Sequence, residues 1–174
     1  MKIYPEMPLH AVPEAVQPTT ESGLSIAGLV SNPRLLTPAD LATVPKASFT
    51  ENFSCDEQWV ATNQTWSGPR LLDVLNLVGL LPSANYVRVG AGEYVVPILL
   101  ADAARALLAD TLNDQPLALE HGAPWRLALP GARCFISVKW VDRLELTAEA
   151  GKNAAIAILR ARNRDSRVEK KAQG

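Results

Sequence analysis

The chain has 174 residues, a formal net charge of −1 and two cysteines. That charge argues against a nucleic-acid binder, and no apolar run approaches the roughly 18 residues of a membrane-spanning helix. A chain of this length buries about 70% of its unfolded surface without a disulfide staple, so one compact domain is expected.

Met1 to Thr20 holds Pro5, Pro8, Pro13 and Pro18, a density that keeps the backbone extended and opposes helix. Residues 1–23 therefore read as an arm that wraps over a core built later, with His10 exposed on it. Leu24, Ile26 and Gly28 alternate with small residues as a strand, and Asn32-Pro33 makes a turn. Thr37 is placed to cap a short helix with Pro38 at its first position, and Pro45 ends it.

Phe49, Glu51 and Phe53 alternate as a second strand, and Cys55 follows where Asp56-Glu57-Gln58 breaks the alternation. A thiol at such a strand end is a small buried hydrophobe, a nucleophile or a metal ligand. Neither Cys-x-x-Cys nor His-x-x-x-His accompanies it, so ligation by protein side chains alone lacks partners. A cofactor that carries its own metal ligands would remove that objection.

Residues 59–68 read as a loop. Leu71, Leu72, Leu75 and Val78 then line one face of a helix opened by Pro69, with Gly79 at its end. Tyr86–Val89 and Tyr94–Ile98 form a hairpin around Gly90-Ala91-Gly92-Glu93, and Pro97 points to a sheet edge. A short helix from Ala101 to Leu107, a strand to Leu112 and a turn at Asn113-Asp114 complete this part.

From His121 to Leu146 two further strands are expected. After a tight turn at Gly122 to Pro124, Trp125, Leu127 and Leu129 share one face while Arg126 and Ala128 take the other; Pro130-Gly131 then redirects the chain. From Phe135 to Val141, Ile136, Val138 and Trp140 face one way and Ser137 and Lys139 the other, with Cys134 read as a packed strand residue. If the second faces coincide, Arg126, Ser137 and Lys139 form a small anion pocket with His121 at its rim; otherwise they are the polar side of half-buried strands.

Residues 151–174 read as a basic helix and tail, with seven basic residues against two acidic ones from Lys152 to Lys171. This is a solvated end or a docking surface for an acidic partner. Nothing obliges Cys55 and Cys134 to pair, and they read as reduced thiols.

The succession of motifs resembles the molybdopterin-binding domain of the sulfite oxidase family. It comprises Ser31-Asn32-Pro33, Leu36-Thr37-Pro38-Ala39-Asp40-Leu41, Phe-x-Cys at 53–55, Trp66-x-Gly68 with Leu72-x-Val74-Leu75, and Tyr94 before a Pro-x-Leu run. Asn113-Asp114-Gln115-Pro116-Leu117, His-Gly-Ala-Pro-x-Arg at 121–126, Pro130-Gly131 and Ser-Val-Lys-Trp at 137–140 before Asp-Arg-Leu-Glu-Leu continue it. The likeness spans residues 24–147 of a domain placed at 24–150 and implies an α+β fold of mixed sheets and short helices.

It also implies a molybdenum-molybdopterin cofactor whose metal takes one protein ligand, Cys55, a soft thiolate donor suited to a centre already bound by sulfur. His121, Arg126, Ser137, Lys139 and the backbone at Val138 would hold the cofactor's phosphate, and Tyr94 would lie beside the metal as a catalytic residue with Cys55. The reaction implied is two-electron oxo transfer on a small oxyanion or an S- or N-oxide. Electrons would pass to an external electron-transfer protein such as a cytochrome, since no haem or iron-sulfur motif is present.

Longer family members carry an N-terminal cofactor-gripping region and a C-terminal immunoglobulin-like domain, neither of which is expected here. Asp56 and Glu57 stand where animal sulfite oxidases place basic residues, and carboxylates facing the site would repel sulfite. Two alternatives follow: a molybdopterin-binding module without catalysis, and an interaction domain that has lost the cofactor. The chain reads as soluble, and cytoplasmic as written or periplasmic if a leader has been removed.

Overall fold

The computed structural model describes residues 1–14, 16, 23–55, 58–157 and 160. Its first half runs β1 (Lys2–Tyr4), β2 (Leu24–Gly28), β3 (Arg34–Leu36), α1 (Pro38–Ala42), β4 (Lys46–Cys55), β5 (Trp59–Pro69) and α2 (Leu71–Asn76). The second half runs β6 (Tyr86–Ala91), β7 (Tyr94–Leu99), β8 (Leu107–Ala109), β9 (Thr111–Leu112), β10 (Gln115–Pro116), β11 (Arg126–Ala128) and β12 (Arg143–Thr147). Single 3-10 turns occupy Leu100–Ala104, Leu119–His121 and Cys134–Ile136.

One sheet has the order β3-β2-β12-β6-β7, with β2 and β12 parallel and the other pairs antiparallel. Pro97 lies in β7, whose outer side has no partner in that order; there a missing amide donor costs no ladder bond. In the second sheet β5 pairs with β4 and β9 antiparallel and with β1 parallel. Short α1 is held by a capping box in which the side chains of Thr37 and Asp40 each accept from the other's backbone N–H.

The pair β8–β11 sits between two apolar cores. Leu108 and Leu127 join Leu24, Ile26, Val87, Val89, Leu144 and Leu146 beneath the first sheet, together with Leu71, Val74 and Leu75 of α2. Leu107, Ala109 and Ala128 turn the other way, onto Phe53, Trp59 and Trp66 of the second sheet. Because β11 is buried on both faces, a polar residue on it must find its partners indoors.

Residues 59–68, expected as a loop, are most of β5. Thr62, Asn63, Gln64 and Thr65 hide its alternation, yet Gln64 is fully buried: its amide nitrogen donates to the Pro5 and Thr62 carbonyls and its oxygen accepts from Asn113. Residues 135–141, expected as a strand, instead follow the 3-10 turn Cys134–Ile136 irregularly, with Trp140 at φ 54°. Two backbone bonds tie this segment to the chain around β11, Leu127 N–H to Val138 O at 2.9 Å and Val141 N–H to Trp125 O at 2.9 Å. Cys134 is thus in a turn, not a strand. The helix expected at 101–107 is the 3-10 turn Leu100–Ala104, since β8 already begins at Leu107.

The N-terminal arm contributes β1 and the buried Met7, and exposed His10 lies 6.2 Å from the Trp59 ring. Residues 161–174, most of the basic tail, lie outside the described residues, as do Asp56 and Glu57.

Candidate functional site

Cys55 is the last residue of β4 and faces Trp59 across the β4–β5 hairpin, whose turn is closed by Gln58 N–H donating to the Cys55 carbonyl at 3.1 Å. Phe53, two residues earlier and so on the same face, carries this wall of the site inward.

The opposite wall is β11 with the segments before and after it. Arg126 is only 3% exposed, although it is a charged residue. Its Nε donates to Ser137 Oγ at 2.9 Å and its Nη1 to the His121 carbonyl at 3.0 Å. The guanidinium lies 5.0 Å from the Phe53 ring centre and 4.9 Å from that of Trp66. Ser137 Oγ passes a bond on to the Leu127 carbonyl at 2.8 Å, and Lys139 Nζ donates to the Glu120 carbonyl at 2.6 Å.

Gly122 makes this packing possible. It ends the turn Leu119–His121 at φ +111°, and a Cβ on it would stand 2.8 Å from Lys139 Cβ. Trp140 N–H bonds the Gly122 carbonyl at 3.0 Å, so the segments bearing His121 and Lys139 are zipped together.

Burial and mutual repulsion govern the charges. Arg126 is pulled down to about 10 by burial, which negative charge at Cys134 and then Cys55 would oppose. Lys139 falls to about 8, through burial first and Arg126 second, with Cys55 opposing. His121 is lowered by burial and then by Arg126 and Lys139, so its ring is neutral at physiological pH; its Nδ1 is buried without a hydrogen-bond partner. Among the described residues no carboxylate forms an ion pair with Arg126 or Lys139. Two half-buried or buried cations and an unsatisfied imidazole nitrogen make an anion-seeking cluster within electrostatic reach of Cys55.

The structure brings Cys55, His121, Arg126, Ser137 and Lys139 into one region, but the last two arrive on an irregular segment. Val138 is buried, and its N–H is spent on the Ile136 carbonyl at 2.9 Å. Tyr94 is half-buried, and its hydroxyl donates to the Phe135 carbonyl at 2.6 Å, holding the turn that carries Cys134. Among the described residues no three His, Cys, Asp or Glu side chains converge on a metal position.

Two features escaped the sequence reading. Cys134 Sγ donates to Cys55 Sγ at 3.2 Å across a separation of 79 residues. The Phe53–Trp66 cleft around Arg126 was the other; Phe-x-Cys and Trp-x-Gly were visible as motifs, but not that their rings enclose one cation. A small pocket borders the cleft, and its lining includes Phe49, Glu51, Phe53, Trp66, Ala128 and Ser137.

Residues 10–155 match the family described as oxidoreductase molybdopterin binding domain. The chain belongs to that family. It is 32% identical over 133 residues to the uncharacterized oxidoreductase YuiH of Bacillus subtilis (strain 168), covering 75% of this chain and 67% of YuiH. To sulfite oxidase of Arabidopsis thaliana it is 29% identical over 164 residues, covering 72% of this chain and 42% of that protein. Nitrate reductase [NADH] of Ulva prolifera is 28% identical over 166 residues, covering 75% of this chain and 19% of its own length.

Among solved structures, the sulfane dehydrogenase SoxCD from Paracoccus pantotrophus superposes with a TM-score of 0.72 at 25% identity, covering 79% of this chain and 41% of that one. The molybdopterin-binding domain thus has the α+β fold of mixed sheets and short helices that the motifs implied. It spans about two thirds of YuiH and well under half of sulfite oxidase and of SoxCD. Among the described residues no helix is long and apolar enough to cross a membrane.

Proposed function

We propose that this chain binds a molybdenum-molybdopterin cofactor through Cys55 and the Arg126 cluster and is an oxidoreductase acting on a small oxyanion or an S- or N-oxide. The observation that carries this is the buried Arg126 guanidinium, set between two aromatic rings with no carboxylate partner among the described residues and within reach of Cys55. A buried cation is costly unless an anion completes it, and a cofactor phosphate is such an anion. The unpartnered His121 Nδ1 and the Lys139 ammonium fit the same group.

In this reading Arg126, Lys139, His121 and Ser137 bind and orient the phosphate end, with the Val138 backbone packed behind them. Cys55 gives the metal its one protein donor, and because the metal's other ligands come with the cofactor, no second protein ligand is required. The bound group's chemistry is two-electron oxo transfer at molybdenum. Tyr94 keeps its phenol protonated beside the site, since burial and then Cys134 raise its pKa. Electrons would leave to an external electron-transfer protein such as a cytochrome. Similar proteins named for sulfite, nitrate and sulfane support a small sulfur or nitrogen substrate.

The test is elemental analysis and dye-coupled turnover of chain made in a host that synthesises the cofactor. Molybdenum bound together with oxidation of sulfite, or reduction of an S- or N-oxide, is the expected result. Molybdenum without turnover identifies a cofactor-binding module, and a folded chain without molybdenum an interaction domain; either overturns the proposal.

A further inference from the structure

Two sulfurs meet where the proposed function uses only one. Cys55 closes β4 and Cys134 opens the 3-10 turn Cys134–Ile136; their Sγ atoms are 3.2 Å apart, and both residues are partly exposed. The approach is fixed by the surrounding structure. Gly131 N–H donates to Glu51 Oε2 of β4 at 2.8 Å, fastening the loop before Cys134 to the strand that ends in Cys55. Tyr94 anchors the turn from its other side through the Phe135 carbonyl at 2.6 Å.

We propose that Cys55 and Cys134 form a reversible intramolecular disulfide in the cofactor-free chain, withholding the Cys55 sulfur from the metal. Only the withholding rests on the proposed function; the linkage rests on the geometry. The bond requires the sulfurs to close by about one ångström, to about 2.05 Å. The oxidant is a mild two-electron one such as hydrogen peroxide. One thiol sulfur attacks the peroxide, breaking the O–O bond to give a sulfenic acid and one water. The second sulfur then attacks the sulfenyl sulfur, forming S–S and breaking S–O, and its proton leaves with the hydroxyl as a second water. The two thiols lose two hydrogens, the peroxide gains two electrons, and a thiol reductant reverses the step by exchange. A disulfide sulfur is no longer a thiolate donor, so the pair would act as a lock on an empty site.

The test uses the full chain purified without cofactor, treated with peroxide or with dithiothreitol, alkylated, and read by intact mass and peptide mapping. After peroxide the wild-type monomer is expected to resist alkylation, to be lighter by two hydrogen atoms and to yield a peptide pair joining Cys55 to Cys134. Dithiothreitol should restore both alkylations. Sulfinic or sulfonic acid without that peptide pair, or links between chains only, overturns the proposal. This result comes from the wild type alone; a folded Cys134→Ser chain should form no internal link.

Uptake of cofactor released from another molybdoenzyme is measured separately as bound molybdenum. Uptake by the reduced chain, lower by at least about tenfold after oxidation, supports the lock. Equal uptake by both overturns it. No uptake by the reduced chain overturns the withholding, while the linkage stands or falls on the peptide map.

Discussion

The Arg126 guanidinium carbon lies 4.9 Å from the centre of the Trp66 ring, and with Phe53 at 5.0 Å on the same cation the charge is enclosed by aromatic faces. Cation–π attraction contributes about 2 kcal/mol at a desolvated site, less than the several kcal/mol of burying the charge. On the proposed function such a residue weakens the empty fold and serves the cofactor phosphate. Arg126→Met should therefore leave the urea midpoint of the cofactor-free chain unchanged or raise its stability by about 1–4 kcal/mol. It should also abolish retention of the cofactor. A large stability loss in the empty chain would mean that Arg126 is structural.

Lys139 gives the site a pH signature. Its folded pKa of about 8 lies below the ordinary 10.5, so below pH 8 the ammonium is charged in both folded and unfolded chains. Between these values the unfolded chain holds a proton that the folded one has released, so stability rises with pH, and the cost of burying the charge, fully present below 8, is relieved towards 10.5. Above pH 8 phosphate binding runs the other way, falling first as Lys139 loses its charge and again as Arg126 does near 10. Titration calorimetry of the cofactor-free chain with phosphate, repeated on Lys139→Gln, checks this: the variant should lose the part of the decline that begins near pH 8 and keep the later part that belongs to Arg126.

Gly122→Ala should damage both fold and site. At φ +111° the alanine is strained, and its Cβ would lie 2.8 Å from Lys139 Cβ and 2.9 Å from Lys139 Cα, which belongs to backbone that cannot rotate away. The strain costs about 1–3 kcal/mol and moves Lys139 off the Glu120 carbonyl. Gly131→Ala is the control, since at φ +73° nothing lies within 4 Å of the added carbon. It should cost stability through the backbone alone and leave molybdenum content unchanged, as measured by denaturation and elemental analysis.

The site was readable in sequence where local pattern fixes geometry. Alternation at Phe49, Glu51 and Phe53 placed Cys55 at a strand end, and the left-handed Gly122 sits in the expected tight turn. The readings failed where partners are distant. β5 passed for a loop because Gln64 and Asn63 look solvated, whereas Gln64 is sealed by Pro5 and Asn113, and Asn63 N–H bonds Asn52 Oδ1 at 2.9 Å. The alternation from Ile136 to Trp140 does not mark a strand: Val138 is buried but Trp140 joins neither core, and Ser137 and Lys139 reach the site from bent backbone whose hydrogen bonds are not a strand's. No local pattern joins Cys134 to Cys55, because a fold-dependent loop brings them together.

Tyr94→Phe removes the bond to the Phe135 carbonyl and should cost about 0.5–1.5 kcal/mol in urea denaturation. With that anchor gone the turn carrying Cys134 is freer, and peroxide should join the two cysteines more slowly than in wild type. As the phenol's pKa is raised above 10.0, turnover by the wild-type enzyme should show no limb from Tyr94 at neutral pH. A pH–rate profile of both chains checks this.

The most direct measurement is X-ray absorption at the molybdenum edge, with the visible spectrum, on wild type and Cys55→Ser made in a cofactor-competent host. Wild type should show one sulfur donor more than the variant and a visible sulfur-to-molybdenum absorption that the folded variant lacks. Equal sulfur shells and unchanged absorption in the two would show that Cys55 does not bind the metal.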